Sequence, residues 1–232
     1  MTRNLKALGL ALVAVFAMSA MAASASSASV LTSDGPFTLT GTETGSETNF
    51  LKAFNVKTKC TSTYKGTAVG GGNLASGATT ATLTPTYTGC TTAGLPTTVD
   101  LNGCDFVLHL GAAGAVTGDQ VCPAGNDITV TVFFSAADHT ANKPFCTLHI
   151  APANNQGLGG ATLSNHVGSS PKDLDLTGAF TGVHVVSTDP GTHPLFCPGE
   201  GTETTKTAEL AVDVTVKGDK ESSATATEVS IS

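Results

Sequence analysis

Leu210-Ala-Val-Asp-Val-Thr-Val216 decides the fold class: apolar side chains at 210, 212, 214 and 216 alternate with Ala211, Asp213 and Thr215. A period of two over this length turns one face to a core and the other to water, as a half-buried β-strand does. The same pattern recurs upstream in Phe37-Thr-Leu-Thr-Gly-Thr42, Phe54-Asn-Val-Lys-Thr-Lys-Cys60, Ala81-Thr-Leu-Thr-Pro-Thr-Tyr87 and Thr98-Val-Asp-Leu101. It continues in Ile128-Thr-Val-Thr-Val-Phe-Phe134, Thr147-Leu-His-Ile150, Leu174-Asp-Leu-Thr-Gly178 and Val183-His-Val-Val186. Turn signals separate these runs: Gly70-Gly-Gly-Asn73, Asn102-Gly103, Pro123-Ala-Gly-Asn126, Asn154-Asn-Gln-Gly157, Asp189-Pro-Gly191 and Lys217-Gly-Asp219. Many short strands with regular turns imply an all-β domain, an antiparallel β-sandwich or barrel. We place it at residues 29–217 and read 218–232 as a final strand or a flexible tail.

The amino terminus reads differently. Arg3 and Lys6 precede the apolar run Ala7–Met18, and small residues follow in Ala20-Met-Ala22, Ala23-Ser-Ala25 and Ser26-Ser-Ala28. This is the plan of a cleaved signal peptide over residues 1–28, and the run is shorter than the ~20 residues that span a membrane. The expected destination is outside the cell, with no membrane span in the mature chain.

Composition narrows the partners. Charged residues make up only 12% of the chain, about half the usual ~25%. Trp is absent, and Tyr occurs only at Tyr64 and Tyr87. Removing Arg3 and Lys6 with the leader takes the formal charge from −7 to −9 and leaves no arginine at all. An acidic, arginine-free domain is a poor match for nucleic acid or an anionic membrane.

The six cysteines, Cys60, Cys90, Cys104, Cys122, Cys146 and Cys197, all follow the leader. An exported chain keeps such thiols oxidised. Their separations of 30, 14, 18, 24 and 51 residues contain no zinc knuckle. Six cysteines permit about fifteen connectivities. A hairpin that turns at Gly111-Ala-Ala-Gly114 brings Cys104 to Cys122, leaving Cys60–Cys90 and Cys146–Cys197 as nearest-neighbour pairs.

Candidate chemistry is sparse. His109, His139, His149, His166, His184 and His193 are scattered, without an HExxH or H-x-H pair. His109 shares a strand face with Asp105. Ser135, Asp138 and His139 fall in one loop, whereas a hydrolytic triad converges from distant positions. Asp173 and Asp175 share a strand face, as glycosidase carboxylates must converge, but alternation with Leu174 and Leu176 makes them the solvent side of a half-buried strand. No residue set points to catalysis, a metal or another cofactor.

Four stretches carry a resemblance: Leu83-Thr-Pro-Thr-Tyr-Thr-Gly-Cys90, Gly94-Leu-Pro-Thr-Thr-Val99, Asn102-Gly-Cys-Asp-Phe-Val-Leu-His109 and Cys146-Thr-Leu-His-Ile150. With the late Cys197-Pro198, the chain resembles uncharacterised secreted cysteine-containing β-proteins of actinobacteria, over residues 55–200. The resemblance implies a bacterial, exported protein and carries no catalytic residue.

The leading expectation is a secreted or cell-surface structural or interaction protein without catalysis, meeting a protein or glycan partner. The alternative is an extracellular binding module for a small ligand or glycan. A hydrolase using His109, His139, Ser135, Asp138 and Asp173 is the third. An apolar cavity without charged groups would select the second, and converging His and Asp side chains the third.

Cross-links over loops of this length each contribute roughly 3–4 kcal/mol, together comparable to a whole folding stability of ~5–15 kcal/mol. Reduction is therefore expected to lower the thermal midpoint drastically. A melt in reducing agent displaced by only a few degrees would contradict the scaffold role of the cysteines.

Overall fold

A computed structural model of the chain describes residues 28–44, 50–54, 56–151, 153–168, 173–188, 203–219 and 226–232. Residues 1–27 of the leader, Cys197 and His193 lie outside the described residues. The strands in chain order are β1 (Leu31–Ser33), β2 (Thr38–Glu43), β3 (Phe50–Ala53), β4 (Val56–Thr67), β5 (Thr80–Thr92), β6 (Leu95–Asp100), β7 (Asp105–Leu110) and β8 (Ala115–Val121). They continue as β9 (Ile128–Val132), β10 (Cys146–Ile150), β11 (Ala153–Asn165), β12 (Leu174–Ser187), β13 (Glu203–Asp219), β14 (Ala226–Thr227) and β15 (Val229–Ile231). A 3-10 turn at Ala112–Gly114 and one short helix, α1 (Ala136–Thr140), complete the described elements. Among the described residues no helix is long and apolar enough to cross a membrane.

The protein is all-β, every strand pairing among the described residues is antiparallel, and the main sheet holds 13 strands. Its hydrogen bonds close on themselves twice. One circuit runs β5-β7-β8-β11-β12-β13-β2-β4 and returns to β5. The other runs β5-β6-β9-β10-β12-β13-β3-β4 and returns to β5. Strands β4, β5, β12 and β13, of 12, 13, 14 and 17 residues, belong to both. Closure gives the backbone donors of each circuit a partner and removes the exposed edges on which open sheets aggregate.

Alternation places the core inside these circuits. Ile128, Val130 and Val132 on β9, Leu148 and Ile150 on β10, and Val212, Val214 and Val216 on β13 are all buried. The phase of β13 slips at Ala211, which is buried beside Val212 while Leu210 is half-buried. That is where the strand changes partner: residues 209–211 face β3, and 214–219 face β2. Thr and charged residues fill the alternate, outward positions, where β-branched Thr keeps strand propensity without needing burial.

Two disulfides brace the hairpins. Cys60–Cys90 ties β4 to β5, and Cys104–Cys122 closes the mouth of the β7–β8 hairpin, whose turn is at residues 111–114. Cys146 is also disulfide-bonded, and its expected partner Cys197 lies outside the described residues.

The end of the structure beside that turn is covered by β1 and β15, which pair with each other. Leu31, Phe37, Leu74 and Val229 are buried beneath this cover. The Ser29 N–H donates to the Gly111 carbonyl at 2.8 Å, and Asn165 exchanges two bonds with the Ile231 backbone at 2.8 and 3.1 Å. The segment read as a final strand or a tail thus supplies the end of β13 and a strand of this cover.

The two circuits separate where β12 leaves β11 and turns toward β10, and two glycines allow the bend. Gly160 and Gly178 have φ of 114° and 122°, outside the reach of other residues. A Cβ on either would sit 2.5 Å from a carbonyl oxygen, of Ala179 or of Gly160 respectively. Because both obstacles are backbone, Gly178→Ala should cost upwards of about 2 kcal/mol. Urea unfolding would measure it, and an unchanged midpoint would remove the glycines from this role.

Candidate functional site

Where the circuits meet, strands lose neighbours. β2 ends at Glu43, and β3 pairs with β4 only as far as Lys59, so β4 has no ladder partner on that side near Ser62. The Glu43 carboxylate takes the place of the missing strand: its Oε2 accepts from the Ser62 N–H at 3.1 Å and from Ser62 Oγ at 3.0 Å. Gln120 on β8 reaches across to the end of β10, donating Nε2 to the Ile150 carbonyl at 2.9 Å. On β5, pairing with β7 stops at Leu83 and pairing with β6 resumes at Thr91. Pro85, which has no N–H to offer, sits in that interval.

At this seam lies a cavity of about 60 Å³. Its walls come from both circuits and are mostly aliphatic and aromatic, including Leu51, Val99, Phe106, Ile128, Phe180 and Leu210. Among the described residues no Asp, Glu, His, Lys or Arg lines it. The polar lining is Thr58, Ser62, Tyr64, Tyr87 and Gln120. Thr58 is spent on a buried hydroxyl chain: its Oγ1 lies 2.8 Å from Thr92 Oγ1, to which Thr97 also donates at 3.0 Å. At ~10–15 Å³ per water the cavity has room for about four waters.

Tyr64 and Tyr87, the only tyrosines, meet on one wall, with Tyr87 directly across the ladder from Ser62 and Tyr64 two residues on. Burial pushes Tyr87 well above the usual tyrosine value, and its neighbour Tyr64 adds to the rise. Burial also raises Tyr64, opposed by hydrogen bonding with Ser62 and Tyr87 and reinforced by the Glu43 charge. Both rings therefore present neutral hydroxyls to the cavity.

The other candidates from the sequence are held apart from it. His109 lies 3.0 Å from Asp119, not beside Asp105, which accepts from Thr84 Oγ1. His149 pairs with Asp127 at 2.9 Å and His166 with Asp175 at 2.8 Å. These are partly exposed cross-strand pairs, each worth ~0–1 kcal/mol. Ser135 is the N-cap of α1: its Oγ accepts from the Asp138 N–H at 3.2 Å and donates to the Asp138 carboxylate, while the His139 ring packs on Phe133 at 4.8 Å. Asp173 is buried at the start of β12, its carboxylate 3.9 Å from Lys217 and its carbonyl accepting from the His166 N–H. Asp175, half-buried, bonds to His166 and Thr215. His184 is half-buried within β12. The set Ser135, Asp138, His139, His109 and Asp173 is thus divided among separate local contacts. Among the described residues no cluster of three or more His, Cys, Asp or Glu could hold a metal ion.

The tyrosines carry a pH signature. Their folded values lie above the unfolded value of about 10, so the unfolded chain loses these protons first as pH rises. Their contribution to stability is complete below about pH 10 and is lost as pH climbs toward the folded values. Tyrosinate absorbance should therefore appear late and cooperatively, together with unfolding. Gradual titration centred near pH 10 in folded protein would place both rings in solvent.

No family model matches this chain, and no curated protein or solved structure matches it either.

Proposed function

We propose that this chain is an exported, non-catalytic binding protein that holds a small, largely apolar molecule inside its strand circuits. The observation that carries this reading is the cavity at the seam: it is lined by apolar side chains from both circuits and by no charged group. Of the three functions the sequence left open, this favours the small-ligand module over the purely structural protein. It favours both over a hydrolase, whose candidate residues are engaged elsewhere. The leader pattern of residues 1–28 and the disulfides Cys60–Cys90 and Cys104–Cys122 support export to an oxidising compartment. The resemblance to secreted β-proteins of actinobacteria points the same way.

Energetics favour an apolar guest. Burying apolar surface yields ~25 cal/mol per Å². The preformed strands also spare the guest the cost of ordering a loop around it.

Xenon, an apolar atom small enough for a cavity of about 60 Å³, is the simplest probe. Titrated into the oxidised protein, it should perturb the methyl resonances of Ile128, Val130 and Leu210 saturably and raise the thermal midpoint. Ala211→Leu, which extends a lining side chain into the space, should abolish both effects while the protein stays folded. Absence of saturable binding to the unaltered protein would overturn the reading.

A further inference from the structure

We propose that the Glu43 side chain gates the cavity, and that a guest enters and leaves through the opening between the end of β2 and the start of β3. This rests on the cavity reading above and assigns a route to that same site.

The opening follows from the strand pairing. Along β4, pairing with β3 runs from Val56 to Lys59, and pairing with β2 runs from Thr63 to Gly66. Facing it on β13, pairing with β3 covers Glu209–Ala211, and pairing with β2 begins at Val214. Two short gaps therefore oppose each other, at 60–62 on β4 and at 212–213 on β13. Leu51, Thr58, Cys60, Ser62, Leu210 and Ala211 frame this opening, and all six line the cavity. Among the described residues no backbone ladder crosses it.

Side chains cross it instead. Glu43, the last residue of β2, reaches Ser62 through one carboxylate oxygen, which accepts from the Ser62 N–H at 3.1 Å and from Oγ at 3.0 Å. On the other flank the Thr44 N–H donates to the Asp213 carbonyl at 3.0 Å, and its hydroxyl bonds to the Asp213 carboxylate. Ser62 is 1% exposed, whereas Glu43 is half-buried, so the carboxylate bridges from solvent to the cavity wall. Between β5 and β12 the two circuits are joined differently. There the chain itself passes from one to the other, in the connections β6–β7, β8–β9 and β10–β11, and Gln120 bonds the Ile150 carbonyl.

The two sides differ in what must move. Between β5 and β12 an opening needs displacement of backbone. At Glu43 it needs one side-chain rotation that breaks two hydrogen bonds and shifts no strand, and such rotations are far faster than local unfolding. Glu43 does not itself line the cavity. Its loss should therefore change the rate of passage and leave the bound state alone, because entry and exit share one barrier.

The test follows xenon exchange by xenon-129 NMR on the full, oxidised protein. Glu43→Ala should speed exchange between free and bound xenon at least about ten-fold and change the affinity by less than about two-fold. Glu43→Gln, whose amide oxygen can accept both Ser62 hydrogens, should restore slow exchange. Gly178→Ala weakens the fold and leaves the gate intact, so it should not speed exchange. Should Glu43→Ala fail to fold, Glu43→Asp draws the carboxylate back by one methylene and should speed exchange by a few-fold. Unchanged exchange in a folded Glu43→Ala or Glu43→Asp, or equal acceleration in Gly178→Ala, would overturn the gate and leave the cavity reading intact. Failure of xenon to bind the unaltered protein would instead remove the cavity reading itself.

Discussion

Closure of the hydrogen-bond ladders is the constraint on which the rest depends. A strand that ends beside an unpaired neighbour leaves backbone donors and acceptors exposed, and this chain avoids that by returning each circuit to β5. Four long strands, β4, β5, β12 and β13, pass through both circuits, so neither can form without the other's backbone. The bend at Gly160 and Gly178 is what allows β12 to face β11 over one half of its length and β10 over the other.

The candidate site is a by-product of that geometry. Two circuits sharing strands cannot keep every ladder continuous, and the interruptions collect at one level. Glu43 repairs one of them with side-chain hydrogen bonds, Gln120 links β8 to the Ile150 carbonyl, and Pro85 occupies a place where no donor is needed. The side chains between the two levels do not close the remaining space. A polar patch made for backbone repair thereby borders an apolar void, and the two together have the composition of a binding site. Outside this seam the polar groups are ordinary surface: diagonal His–Asp pairs and a helix cap.

Much of the architecture was legible because its signals are local. Leu210–Val216 announced a strand by alternation, and the turn at 111–114 placed Cys104 against Cys122 within a single hairpin. The closure was not legible. Pairings such as β4 with β3 along its first half and β2 along its second depend on which distant strands meet, and alternation says nothing about that. Even the alternation of Leu210–Val216 breaks at Ala211, where the strand changes neighbours. The site was hidden for a related reason. Thr58, Ser62 and Tyr64 point inward, yet hydroxyl residues on a strand read as its wet face. Their burial follows from the strand's partners, not from its own pattern. His109 shows the same limit: proximity along one strand suggested Asp105, while the facing strand supplied Asp119.

The pairing of β1 with β15 joins positions 198 residues apart, as the contact of Thr32 with Ser230 shows. A chain that emerges in order, from a ribosome or an export channel, has made its first strand long before that strand's partner exists. Until residues 229–231 arrive, Leu31 has no Val229 beside it under the cover, and that end of the structure stays open. The order of synthesis therefore leaves that end of the structure incomplete until β15 has been made, and the pairing of β15 with β1 seals it.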